Sequence, residues 1–172
     1  MTLPDVRLRP VTADDLPMLR RFATEPGLVG PDWSGFHDAG AVERRFAADG
    51  YLGEENGRLV VAADDERAGC VSWHAVRITR PSYWNIGIVL LPEFRGRGFG
   101  WRAQAMLADY LFEHTPVMRI EAGTQPENDA EQRALEKAGF QRQGVLRAVE
   151  FRGGAWCSMV VYSKVREGVL PQ

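Results

Sequence analysis

The stretch PEFRGRGFGW, residues 92–101, sets arginines at 95 and 97 among glycines at 96, 98 and 100. It follows the apolar run IGIVLL and precedes residues spaced as a helix. A strand that passes through a glycine turn into a helix start presents unpaired backbone N–H groups and the positive end of a helix dipole. The glycines let the main chain adopt positive φ and let a ligand come close to the backbone. Helix starts usually carry Asp or Glu, yet residues 95–104 hold no acid and three arginines, so the positive charge is left uncompensated. That chemistry suits a phosphate or a pyrophosphate; the plainer alternative is a tight turn with solvated arginines.

The elements that must position this turn can be read from periodicity. DVRLRPV alternates as a first strand, and Thr12 with Asp15 caps a helix carrying Leu16, Leu19, Arg20 and Phe22 up to Pro26-Gly27. EPGLVGPDWSGFHDAG reads as a long loop of the kind that tends to be functional, followed by a short helix over residues 39–48. RLVVAA, the turn DDER and AGCVSWHAVRI form a hairpin, and SYWNIGIVLL is the strand that feeds the glycine turn. Phe99, Ala103, Met106, Leu107, Tyr110 and Leu111 share one helical face. MRIEAG is a strand, Asn128 opens a helix that Gly139 ends, and two strands joined at RGGA close the chain. The order β-α-α-β-β-β-α-β-α-β-β predicts an α/β (α+β) fold, a mixed seven-stranded sheet with helices on both faces.

Two familiar phosphate motifs are absent. The dinucleotide fingerprint G-x-G-x-x-G would need glycine at 101, where Trp101 stands, and no G-x-x-x-x-G-K-[ST] string occurs. What the turn does match is R-x-x-G-x-G, through Arg95, Gly98 and Gly100. Here the sequence resembles the GNAT superfamily of acyl-CoA-dependent N-acyltransferases, in particular the branch of ribosomal-protein N-terminal acetyltransferases. RIEAGTQPENDAEQRALEKAGFQRQGVLR, residues 119–147, is similar to the second half of that branch, and GGAWCSMVVYS to its final hairpin. The resemblance covers nearly the whole chain and implies a single GNAT-like domain over residues 1–172, a three-layer fold with its sheet splayed between strands 4 and 5.

The resemblance also implies a set of roles. Acetyl-CoA would be the cofactor, its pyrophosphate held by Arg95, Gly96, Arg97, Gly98, Phe99, Gly100 and Trp101. Its pantetheine arm would run along the strand that ends in Leu90 and Leu91, and a main-chain N–H within residues 88–90 would polarise the thioester carbonyl. Asn128 would contact the arm or the reacting region, although its spacing to Glu131 also fits an N-cap. The catalytic residues expected are Glu121, as base in the middle of the splayed strand, and Asn128, with His74 a lesser candidate for the base. Catalysis by positioning, with protons leaving through water, is the alternative. The family's usual acidic and hydroxyl positions are occupied by Asn85, Glu131, Leu135 and Ser158. Trp33, His37, Tyr83 and Trp84 would wall the acceptor, with Asp32 and Asp38 drawing a cationic amine. The implied activity is transfer of an acetyl group to a primary amine of a small molecule or peptide; the alternative is a non-catalytic acyl-CoA-binding regulatory module.

Composition limits the remaining classes. A net charge of -2, with 45% hydrophobic and 26% charged residues, gives no general basic surface for nucleic acid or an anionic membrane. No apolar run approaches the roughly 18 residues of a membrane span, and no leader is evident, so a cytoplasmic monomer or homodimer is expected. Cys70 and Cys157 read as small core residues, and three scattered histidines give no metal-binding spacing.

Overall fold

A computed structural model of the chain describes residues 5–30, 33, 35–77 and 83–168. Asp32, Ile78 and Ser82, which the sequence reading used, lie outside the described residues. The elements are β1 (Val6–Pro10), α1 (Leu16–Thr24), α2 (Pro26–Val29), α3 (Ala41–Asp49), β2 (Asn56–Ala63), β3 (Glu66–Val76), β4 (Tyr83–Leu90), α4 (Phe99–His114), β5 (Arg119–Thr124), α5 (Asp129–Lys137), β6 (Gln141–Arg152) and β7 (Ala155–Val165). The strands form one seven-stranded sheet in the order β1-β2-β3-β4-β5-β7-β6, antiparallel except for the β4–β5 pair, with helices on both faces. The expected long loop thus contains a one-turn helix, α2, begun by Pro26, whose fixed φ suits a first helical position.

The expected cap at the start of the first helix is a capping box in which Thr12 and Asp15 bracket a 3₁₀ turn before α1. Asp15 is fully buried and does more than cap. Its carboxylate accepts from both Arg9 terminal nitrogens at 2.7 and 2.8 Å, from Arg67 at 3.0 Å, and from the Thr12 backbone and hydroxyl at 2.8 and 2.9 Å. Burial works to raise its pKa, and the bonds from Arg9 and Thr12 overcome that and hold it at about 2. This cluster ties β1, the start of α1 and β3 together.

Alternation in β4 and β5 sends Trp84, Ile86, Ile120 and Ala122 into the core. α4 packs beside β1, β3 and β4 through Phe99, Ala103, Leu107 and Leu111, all fully buried. α5 lies on β5 and β6 with Leu135 inward. Both cysteines are free, Cys70 buried and Cys157 half-buried.

Candidate active site

The parallel β4–β5 pairing covers only Trp84–Ile120, Asn85–Glu121 and Ile86–Ala122. Past Ile86, β4 keeps β3 on one side, from Ser72 back to Gly69, and has no strand partner on the other among the described residues. β5 meanwhile stays on β7 through Thr124. The strands therefore part at Gly87, and the main chain of residues 87–90 offers N–H and C=O groups to something other than a strand.

That free edge leads into the glycine turn. After a 3₁₀ turn over Pro92–Phe94, Gly96 and Gly98 take φ of +70° and +82°, a region where a side chain is strained. Gly98 is the N-cap of α4, so no side chain caps the helix, and its first turn carries no acid. A sixteen-residue helix thus opens with free N–H groups. A Cβ at Gly98 would stand 3.3 Å from Trp101 Nε1, which brings the indole N–H beside the turn as a further donor.

The arginines divide their work. Arg97 lies over the rings of Phe94 and Phe99, at 5.7 and 5.0 Å from the centroids, and Arg102 over Trp101 at 5.4 Å. Arg95 points elsewhere. Its Nε donates to the Leu90 carbonyl at 2.9 Å and its Nη2 to the Leu28 carbonyl, which braces the end of β4 against α2. The sequence reading gave Arg95 to the anion; the geometry gives its guanidinium to the main chain.

On the other face, residues paired across neighbouring strands make one polar row: Asn56, His74, Asn85, Glu121, Ser163 and Gln141. Glu121 sits where the strands begin to part, but its carboxylate is already held. Arg119 donates to it from Nε at 2.7 Å and Nη2 at 2.6 Å. The Tyr83 hydroxyl hydrogen-bonds it as well, and the Tyr83 pKa is raised by burial, then by the charge of Glu121 and that bond. The carboxylate is thus engaged in an ion pair with Arg119. His74 in the same row is exposed and has no side-chain partner among the described residues.

Asn128 accepts from the Glu131 N–H at 3.2 Å and so caps α5. Trp33, Phe36 and His37 form a cluster, with ring centroids 5.5 and 6.4 Å from Trp33, and Phe36 is 81% exposed. Trp84 does not join them: it is buried on the face opposite Tyr83, and its Nε1 donates to Thr115 Oγ1 at 3.0 Å. Strand alternation sends neighbours to opposite faces, so Tyr83 and Trp84 cannot both wall one site. Asp38 is engaged by Arg44 and by the Gly40 N–H. Sequence reading missed the Arg119–Glu121 pair, although residues two apart on a strand share a face. It missed the polar row because cross-strand register is not written in any single strand.

Residues 5–141 match the family model described as the acetyltransferase (GNAT) domain. The chain belongs to the GNAT acetyltransferase family. A probable N-acetyltransferase of Bacillus subtilis, YjcK, is 34% identical over 98 residues, 57% of this chain and 54% of that protein. The chain spans about half the length of the first curated GNAT relatives it matches. Spermidine N-acetyltransferase from Vibrio cholerae, solved with CoA and spermine, has a TM-score of 0.80 at 19% identity, covering 93% of this chain and 95% of that one. Ribosomal-protein-S5-alanine acetyltransferase from Vibrio fischeri gives 0.75 at 22% identity, covering 99% and 98%. GNAT relatives of different named acceptors thus share the fold, and the likeness does not single out the ribosomal-protein branch.

Proposed function

We propose that this GNAT chain is an acetyl-CoA-dependent N-acetyltransferase that moves the acetyl group directly to a primary amine. The carrying observation is the free edge of β4 past Ile86, which leads through one 3₁₀ turn and the glycine turn to an uncapped helix N-terminus whose first turn holds no acid. Free N–H groups at a positive-φ glycine turn fit a diphosphate, and an unpaired strand edge fits an extended amide-bearing arm. Acetyl-CoA, when bound, supplies a thioester, an acyl group already activated toward amines.

The chain's residues would then act as follows. N–H groups within residues 96–101 bind the diphosphate, with Arg97 adding charge. A main-chain N–H within residues 88–90 polarises the carbonyl under attack. His74 and Asn85 orient the amine, whose proton leaves along the polar row through His74 or water. Glu121, held by Arg119 and Tyr83, keeps that row in place. Asn128 caps α5 beside the arm. With Glu121 and Asp38 both paired to arginines, the acceptor that fits best carries a single amine, as a peptide α-amine does. Trp33, His37 and Tyr83 would bound it.

Calorimetric titration with acetyl-CoA, then thiol release with spermidine, an alanine-initiated peptide and an aminoglycoside, tests this. Saturable binding and release with the peptide are expected; no binding at millimolar acetyl-CoA refutes the reading. The held state of Glu121 favours one second reading, a non-catalytic acyl-CoA-binding module, which predicts binding without release in any amine screen.

A further inference from the structure

Gln104, in the second turn of α4, is 1% exposed. Its Nε2 donates to the Gly100 carbonyl at 3.4 Å, while its Oε1 meets no donor among the described residues. The Gly100 carbonyl sets the amide's orientation, because exchanging its ends would put two acceptors together. An unpaired carboxamide oxygen costs free energy in an interior whose neighbours on the helix are Ala103, Leu107, Ala108 and Leu111. A leucine at 104 would complete that apolar stripe without the cost. Such an orphan in a buried setting calls for a missing partner.

Where the oxygen lies indicates which partner. Helical side chains lean toward the N-terminus, and the bond to Gly100 holds this one against the first turn. Gly100 itself faces β4: a Cβ there would lie 3.8 Å from Leu90 Cδ1 and 4.0 Å from Ile88 Cδ1. Gln104, one turn on along the same stripe, therefore sets its carboxamide between the start of α4 and the half of β4 that has left β5. The glycine turn offers only donors, which suit phosphate oxygens. An acyl-CoA arm also brings amide N–H groups that need acceptors once out of water. The Leu90 carbonyl is already taken by Arg95.

We infer that Gln104 Oε1 is the acceptor for an amide N–H of the pantetheine arm, a contact that rests on the proposed acyl-CoA reading. The test compares wild type, Gln104→Leu and Gln104→Met by calorimetry with two ligands: CoA, and its nucleotide half 3′-phospho-ADP, which has the diphosphate and lacks the arm. The expected result is CoA affinity weakened about fivefold to tenfold in both variants, with 3′-phospho-ADP affinity unchanged. The unliganded variants should also melt at a higher temperature, since the orphan is gone. Unchanged CoA affinity with a raised melting temperature overturns the inference and leaves Gln104 a purely structural oddity. Equal losses for both ligands overturn it too, since they place the effect at the helix start. If wild type binds neither ligand, the acyl-CoA reading falls first and takes the inference with it. The methionine variant, close to glutamine in length, keeps the test valid should leucine disturb packing.

Discussion

Arg95→Ala should loosen the fold while leaving the charge that meets the ligand largely in place, and Arg97→Gln should do the reverse. Arg95 makes two bonds to backbone carbonyls, to Leu90 at 2.9 Å and to Leu28. Bonds to a charged group contribute about 1.5–3 kcal/mol each when shielded, and this guanidinium is exposed, so roughly 1–2 kcal/mol for the pair is the expected loss. For a chain of this length that lowers the melting temperature by about 2–8 °C. Arg97 lies over the ring faces of Phe94 and Phe99, contacts of about 0.5–1 kcal/mol in an exposed setting. Its removal should cost less stability but weaken CoA binding about threefold to tenfold, and it should flatten the fall of affinity with salt. Urea unfolding and calorimetry at low and high salt measure both. The brace is refuted if Arg95→Ala is as stable as wild type and shows the flattened salt dependence, because Arg95 would then be the cation that meets the diphosphate.

Three further outcomes follow from the geometry. Gly98→Ala should bind CoA at least tenfold more weakly than Gly96→Ala: both incur the strain of positive φ, but only at 98 does the new methyl crowd Trp101 Nε1, at 3.3 Å, at the mouth of the helix. Paired calorimetric titrations decide it. Asp15 should make the fold acid-sensitive: with its pKa lowered from 3.8 to about 2, it contributes roughly 2 kcal/mol that is complete above pH 4 or so and is lost as pH falls toward 2. Asp15→Asn should be less stable at neutral pH and show a shallower decline between pH 5 and 2 in urea unfolding; parallel declines would remove the role. Glu121→Gln should lower thiol release by no more than about tenfold with unchanged acetyl-CoA affinity, since Arg119 already holds the carboxylate. A thousandfold fall would restore Glu121 as the base.

The fold was legible where local pattern decides it. The strand formed by the apolar run IGIVLL, the helical stripe through Phe99, Ala103, Leu107 and Leu111 and the Thr12–Asp15 capping box each depend on neighbours in the chain, and each is present, although Met106 and Tyr110, expected on the same stripe, are exposed. The splay was legible only through resemblance, because nothing within NIGIVLL or MRIEAG says that their pairing stops at Ile86. Side-chain direction was the weak point. Trp84 looked like a companion of Tyr83 by adjacency, yet the pleat turns it into the core. Arg95 and Arg97 looked equivalent by type, yet their partners 67 residues away and on the next ring separate them. The cost of leaving Gln104 unpaired could not be read at all, since burial and lack of a partner are both tertiary facts.

The two halves of the site are built from different materials, and that bears on what the family likeness can carry. The proposed donor half is backbone: a strand edge without a partner among the described residues, two positive-φ glycines and the first turn of α4, with side chains as supplements. Backbone geometry survives wide sequence change, which is why solved GNAT relatives near 20% identity still superpose over most of the chain. The proposed acceptor half is a row of side chains drawn from β2, β3, β4, β5, β7 and β6, one residue per strand. Solved relatives that share this fold carry names as unlike as spermidine N-acetyltransferase and ribosomal-protein-S5-alanine acetyltransferase. If this row receives the acceptor, the exposed His74 and the Arg119-bound Glu121 stand on either side of Asn85, and a polycation would meet a carboxylate already paired with an arginine.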